Sequence, residues 1–520
     1  MNNYKAVVSN KAIIFTLFKS ILVGLLAGIV VVFYRSVLMW TEGLSFQLFA
    51  YVKNNLVLLP IALVILIGIG LLIGFLVSKF PMISGSGIPQ VKGILMGHFK
   101  QSWLSTLLAK FFGGATSILA GFSLGREGPS IQLGACVAEG VGNKFANSRT
   151  EKKILIVSGA SAGLAAAFNA PLAGAMFALE EIIKYFSPIL LLSIMVSAVV
   201  ADFVSTIVFG FSPVFDFVIS DAIPLHGYWL LFILGITLGA GGAFYNFVLV
   251  NTQKLYKRAK WLNTYTRPIV PAIFALIISF FFPLVLGSGQ QIIPELQPAS
   301  SITFLCLLLL FKFILSMISF GSGAPGGIFF PLLVMGSIIG AIFGNVAINF
   351  LGFDQSLFFN FVIIAMAGFF TAIVRAPITG IILLIEMTGS FANLLSLTFV
   401  SIVTYITATL LKSKPIYDTL LRNMIYENTS TEDEDDENLK ITLEVVVQHG
   451  SLITDKFVKE IDLPSYCLLI LIKREGSDII PRGDTKILAG DNLILMTNLN
   501  REVITRELLN EMTTFTSYKQ

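Results

Sequence analysis

Charge is what this sequence has least of. Asp, Glu, Lys and Arg make up 13% of its 520 residues. A soluble globular chain carries about 25%, so an ordinary water-exposed surface is excluded over most of the length. Cysteine is nearly absent as well. Cys136, Cys306 and Cys467 are odd in number and scattered, which leaves neither a disulfide framework nor a metal-ligand spacing. Three equally dispersed histidines offer no pattern for histidine-based catalysis. No nucleophile or metal cluster accompanies the acidic residues at a recognisable spacing, so the chain does not read as an enzyme.

What is present is apolar sequence, 55% hydrophobic with mean hydropathy +0.84. Runs free of Asp, Glu, Lys and Arg cover 54–78, 154–179, 222–253, 313–353, 355–374 and 387–411. One membrane-spanning helix needs about 20 apolar residues, so 313–353 is long enough for two segments broken at its glycines. This is an all-α polytopic membrane protein over residues 1–424. Lys5 and Lys11 precede apolar sequence in the manner of a signal peptide. Lys19 interrupts it, however, the apolar stretch continues to Tyr34, and no small-residue cleavage site follows. A retained first helix is predicted.

The charges that exist are unevenly divided. Residues 1–426 hold 25 Lys and Arg against 13 Asp and Glu, and residues 427–520 hold 10 against 18. Basic clusters at Lys144–Lys153, Lys254–Arg267 and Lys412–Arg422 mark cytoplasmic loops by the positive-inside tendency. The last leads into the tail, which is predicted to be cytoplasmic too. Within 425–439 lie six consecutive acids, Glu432–Glu437, a solvated linker. Beyond it, Leu443–Val447, Cys467–Ile472 and Leu493–Met496 are short β-type runs. Arg474-Glu475-Gly476 and Ala489-Gly490-Asp491 supply turns, and Arg501–Met512 reads as a closing amphipathic helix. Residues 440–515 thus form a small α+β domain.

Internal repetition organises the membrane part. F-N-A-P-L-A-G-A-M-F-A-L-E-E at 168–181 matches V-R-A-P-I-T-G-I-I-L-L-I-E-M at 374–387, with nine positions from Pro171 to Glu180 and nine from Pro377 to Glu386. Gly85-Ser86-Gly87 and Gly287-Ser288-Gly289 each end 42 positions before a proline, Pro129 and Pro331. Duplicated halves, here roughly 15–211 and 225–412, are a mark of secondary transporters, whose sites lie between the halves.

Four glycine- or proline-bearing breaks interrupt apolar sequence: G-S-G-I-P at 85–89, G-R-E-G-P at 125–129, G-G-I-F-F-P at 326–331 and K-P-I-Y at 414–417. Non-helical backbone survives in a membrane only where it is buried in protein or lines a cavity. A helix beginning after such a break turns free N–H groups and its positive dipole end into that cavity. Several converging helices attract an anion without a full positive charge, and hydroxyls from Ser86 and Tyr417 add donors.

These motifs, in this order, resemble those of the CLC family of chloride channels and chloride/proton exchangers over about residues 15–422. The resemblance implies a bundle of inverted halves, assembled as a homodimer in the lipid membrane with one pathway per subunit. It implies that Ser86, Tyr417 and the backbone amides of Ile328 and Phe329 hold chloride, framed by the backbone of Gly85, Gly87, Arg126, Gly128 and Gly327. It implies further that Glu127 is the gating glutamate and Glu181 the inner proton-transfer glutamate. Glu181 favours chloride/proton antiport over the alternative, a passive chloride channel of the same fold. Ser86 is the family's chloride-type residue. Glu386 and Arg375, at the repeat-related positions, read as structural, and Phe330 fills a variable slot. The stretch I-P-R-G-D-T-K-I-L-A-G-D-N-L at 480–493 resembles the TrkA-C domain of potassium-transport regulators. That resemblance implies a dimerising regulatory module which in some relatives binds a small nucleotide. No other cofactor and no nucleic-acid partner is expected. A potassium pore would need carbonyl-lined filter loops, and no such segment is present. The type of tail suggests a prokaryotic plasma membrane.

Overall fold

A computed structural model describes residues 10–513 except 185, 212, 216, 218–221, 260, 430–439, 475–476 and 499–501. The acidic run Glu432–Glu437 and the turn at Glu475-Gly476 lie outside the described residues. The described chain divides into two compact units, residues 1–420 and 421–520.

The first unit is helical. Its helices are α1 (Asn10–Asn54), α2 (Leu59–Lys79), α3 (Ile88–Met96), α4 (Trp103–Leu119), α5 (Glu127–Phe145), α6 (Arg149–Phe168) and α7 (Pro171–Phe177). They continue with α8 (Pro188–Phe209), α9 (Tyr228–Arg258), α10 (Ile269–Phe281), the single turn α11 (Ile292–Glu295), α12 (Ile302–Gly321) and α13 (Phe329–Leu351). The last are α14 (Phe358–Val374), α15 (Pro377–Thr388), α16 (Leu394–Leu410) and the start of α17 (Ile416–Thr429), which runs on past residue 420. Seven of the described helical segments are long and apolar enough to cross a membrane. The charge-free run 313–353 does divide, at the glycines between α12 and α13.

Position in the bundle follows from side-chain chemistry. The α2 helix turns Ile61, Val64, Ile65, Leu71, Leu72 and Phe75 outward, the pattern of a helix facing lipid. The α14 helix is apolar on every side and buried over almost its whole length, so other helices surround it. The two helix pairs beside the breaks pack at backbone distance. A Cβ on Gly134 of α5 would stand 2.1 Å from the Gly159 carbonyl of α6, and one on Gly340 of α13 would stand 2.5 Å from the Phe361 carbonyl of α14. Small residues permit this closeness in membrane bundles.

The second unit contains an antiparallel sheet of β1 (Lys440–Val446), β2 (Cys467–Arg474), β3 (Ser477–Ile479) and β4 (Asn492–Asn498), in the order β1-β4-β2-β3, followed by α18 (Glu502–Thr513). Leu443, Cys467, Leu469, Ile472, Leu493, Leu495 and Leu509 form its core. Three strands and the closing helix match the expected runs. The short β3 strand was not foreseen, because Ser477-Asp478-Ile479 has no apolar alternation of its own and is held only by pairing with β2. Asp491 is buried. It accepts from the Leu488 N–H at 2.8 Å and from Arg474 Nε and Nη2 at 2.7 and 2.8 Å, fixing the turn before β4.

Candidate functional site: four helix starts meeting in the bundle

Each of the four sequence breaks becomes the start of a helix: α3, α5, α13 and α17. Backbone hydrogen bonds lace three of the breaks together. Gly125 and Gly327 exchange bonds of 2.6 and 2.7 Å, while Gly85 accepts from Gly326 at 3.0 Å and donates to Gly323 at 3.3 Å. Gly85 and Gly87 have φ +61° and +99°, a region costly for any residue with a Cβ. A Cβ on Gly128 would stand 2.3 Å from Ser86 Oγ. The glycines are therefore the condition for bringing α3, α5 and α13 to one point.

Donors face that point. Ser86 and Tyr417 are buried, and their hydroxyls lie near each other without a hydrogen bond of ordinary geometry to a described residue. The Tyr417 ring stands edge-on to Phe177, and Phe177 to Phe329, so an aromatic wall fixes both. Ile328 precedes α13 and Phe329 is its first residue, where an N–H has no carbonyl one turn earlier to bond. The Glu127 side chain is fully buried, with Oε2 accepting from the Phe330 N–H at 3.3 Å and Oε1 lying 3.8 Å from Arg126 Nε. Phe330 had looked uninformative. Its side chain packs on Phe168 and Phe215, while its main-chain amide is the group that meets Glu127. Free donors and one tethered carboxylate suit a small monovalent anion.

Glu181 belongs to a different cluster. The helix widens to a π-turn over Ala178–Ile183, which turns two consecutive glutamates to different neighbours. Glu180 crosses to the second half, accepting from Ile378 N, Thr379 N and Thr379 Oγ1 at 3.2, 2.7 and 2.8 Å at the start of α15. Glu386 returns the contact, accepting from Leu172 N and Ala173 N at 2.9 and 2.7 Å at the start of α7. Each half thus caps the other's repeated helix, and Glu386 is structural as read. Arg375 is structural too, donating to the Tyr405 and Ser413 carbonyls at 2.7 and 2.8 Å. Glu181 is buried and pairs with Lys92 at 2.7 Å.

Three lysines and one glutamate escaped the sequence reading. Lys110 binds the carbonyls of Ile83 and Gly85 at 2.8 and 2.6 Å, and Lys312 binds those of Val285 and Gly287 at 3.0 and 2.9 Å. Each lysine lies 25 residues after the first glycine of its loop, a spacing that would have revealed a further repeat landmark. The two loops share a fold, since Gly287 and Gly289 have φ +64° and +87°. They differ in what they hold. Ser288 N and Oγ donate at 2.7 and 2.8 Å to the carboxylate of Glu42, from α1. Lys92 is the third lysine.

The family model described as "Voltage gated chloride channel" matches residues 69–409. The H(+)/Cl(-) exchange transporter ClcA of Vibrio campbellii is 34% identical over 422 residues, spanning 79% of this chain and 89% of that protein. This chain belongs to the voltage-gated chloride channel (CLC) family. ClcA of Salmonella typhimurium is 32% identical over 437 residues, spanning 81% of this CLC chain and 91% of that protein. Among solved structures, a slow cyanobacterial Cl-/H+ antiporter superposes with TM-score 0.74 at 31% identity, over 79% of this chain and 97% of its own. A CLC-type fluoride/proton antiporter superposes with TM-score 0.66 at 26% identity, over 79% and 98%. The TrkA-C domain model matches residues 442–505. The fold is accordingly the CLC helical bundle carrying a small α+β domain.

Proposed function

We propose that this CLC protein is a chloride/proton antiporter in which Ser86, Tyr417 and the amides of Ile328 and Phe329 bind chloride. Glu127 is its gate and proton carrier, and Glu181 the inner proton-transfer residue. The observation that carries the reading is the Glu127 carboxylate resting on the Phe330 amide at the start of α13, beside two buried hydroxyls without ordinary hydrogen bonds. An ionised Glu127 is itself an anion and competes for such a site. Protonation removes its charge, loosens its hold on the amide and frees the position for chloride, so one side chain exchanges a proton's arrival for an anion's entry. Gly85, Gly87, Arg126, Gly128 and Gly327 supply the backbone that shapes the site. The protein works as a homodimer in a bacterial plasma membrane, with its C-terminal domain in the cytoplasm. The TrkA-C match supports a regulatory role for that domain, with a small nucleotide as the ligand class. The relatives named above support transport over catalysis.

The test uses purified protein in liposomes under an imposed chloride gradient, with voltage clamped by a potassium ionophore and external pH recorded. Uphill proton movement is expected in the wild type and lost in Glu127→Ala, while chloride still flows. Chloride flux without coupled protons in the wild type would make the protein a passive channel instead.

A further inference from the structure

The two elements that bring hydroxyls to the anion site each also carry a charge, six residues after Ser86 and next to Tyr417, and both charges lie in the cluster around Glu181. Ser86 precedes α3, and Lys92 lies on α3. Tyr417 and Asp418 are neighbours at the start of α17. The Lys92 ammonium is fully buried and bonds Glu181 Oε1 at 2.7 Å and, more closely still, Asp418 Oδ1. The other Asp418 oxygen accepts from Lys184 at 2.5 Å, and Lys184 Nζ lies 3.9 Å from Glu181 Oε2. Exposure rises along this chain of contacts. The Lys92 and Glu181 side chains are 0% and 2% exposed, those of Asp418 and Lys184 38% and 44%. Among the described residues, the charged or titratable groups facing Glu181 are thus Lys92, Lys184, Asp418 and the Tyr417 phenol.

A buried ammonium is tolerated only when paired, and here the pairing does more than neutralise it. The formal charges of Lys92, Lys184, Glu181 and Asp418 sum to zero, and among the described residues the polar contacts leading from Glu181 to exposed groups run through Lys92 and Lys184, both joined to Asp418. We propose that Lys92 and Asp418 are positioning residues for proton transfer. Lys92 orients the Glu181 carboxylate, and Asp418 with Lys184 forms the polar mouth through which protons reach it from water. The same two residues tie α3 to α17 beside the anion site, so chloride occupancy and access to Glu181 share one mechanical connection. This rests on the reading of Glu181 given above.

The experiment measures protons moved per chloride, and the inner-pH dependence of proton flux, in liposomes of oriented full-length protein. Wild type, Glu181→Gln, Lys92→Met, Lys92→Arg and Asp418→Asn are run in parallel. Protons per chloride should fall several-fold in Lys92→Met and Asp418→Asn while chloride continues to flow, and Lys92→Arg should restore part of the coupling. The pH profiles should move in opposite directions. Asp418→Asn leaves surplus positive charge beside Glu181, so more acid is needed to drive protons in. Lys92→Met leaves surplus negative charge, so residual proton flux persists to higher pH. A purely structural role would not separate the two profiles. Loss of coupling in Glu181→Gln with wild-type stoichiometry and profiles in the other variants would overturn this proposal alone. Retained coupling in Glu181→Gln would overturn it together with the reading of Glu181. Should Lys92→Met fail to fold, Asp418→Asn, altered only at the half-exposed end, decides the matter by the direction of its profile.

Discussion

The Gly-Ser-Gly loops of the two halves have nearly the same backbone and opposite contents. Residues 85–87 and 287–289 each have glycines at positive φ, and each is tied down by a buried lysine through two carbonyls. In the first half the serine hydroxyl is left without an ordinary hydrogen bond. In the second, a carboxylate from α1 takes both donors of Ser288. A loop built to offer an N–H and a hydroxyl to negative charge accepts it from solution or from the chain itself, and one residue decides which. Glu42 fills the second loop, whereas among the described residues no carboxylate takes the Ser86 hydroxyl of the first.

The comparison can be broken most forcefully at the lysines. Lys312→Met orphans the buried Val285 and Gly287 carbonyls, whereas Lys110→Met orphans that of Ile83 and leaves Gly85 O with its Gly326 N–H. At roughly 1–3 kcal/mol per unsatisfied group, stability should fall by on the order of 3 and 2 kcal/mol respectively. Thermal unfolding in detergent should show a loss for both, the larger for Lys312→Met, whereas a chloride titration should show weakened binding only for Lys110→Met. Equal loss of chloride affinity in Lys312→Met would abolish the distinction between the loops.

A smaller effect sharpens it. Glu42→Ala leaves the two Ser288 donors without their acceptor, a cost of about 2 kcal/mol, with chloride affinity retained. Ser86→Ala should do the reverse: unfolding unchanged, and chloride affinity reduced about fivefold for one lost hydrogen bond of ~1 kcal/mol. Unfolding and isothermal chloride titrations on both variants check the pair, and a common response in the two would refute it.

The smallest difference concerns the reciprocal caps. Glu180 accepts from three donors and Glu386 from two. Glu180→Ala should therefore destabilise by about 1 kcal/mol more than Glu386→Ala, the worth of one hydrogen bond. Thr379→Val should narrow that gap in the same unfolding assay.

The family's own landmarks were the most legible part of the chain. Glycine and proline act locally, so the four breaks at 85–89, 125–129, 326–331 and 414–417 announced the four helix starts. The repeated A-P-x-x-G helices likewise announced the duplication, but not that each half caps the other's helix. Phe330 was not legible, because a main-chain amide leaves no trace in side-chain identity. Nor were Glu42, Lys92 and Asp418, whose partners lie 246, 89 and 326 residues away. Lys110 and Lys312 could have been found, since their spacing from the glycine loops repeats. A lone lysine in a helix is easily taken for a loop residue near the membrane surface.

By itself, then, the sequence determined that the chain spans a membrane, that it is duplicated, and where its helices start, because hydropathy and backbone freedom are properties of neighbouring residues. Tertiary structure alone decided which carboxylate answers which donor. Glu127 lies on an amide of the other half, Glu180 and Glu386 exchange helix ends, Glu42 fills the second loop, and Glu181 faces Lys92. Buried polar groups must find partners wherever the fold brings them, and that matching has no local signature to read.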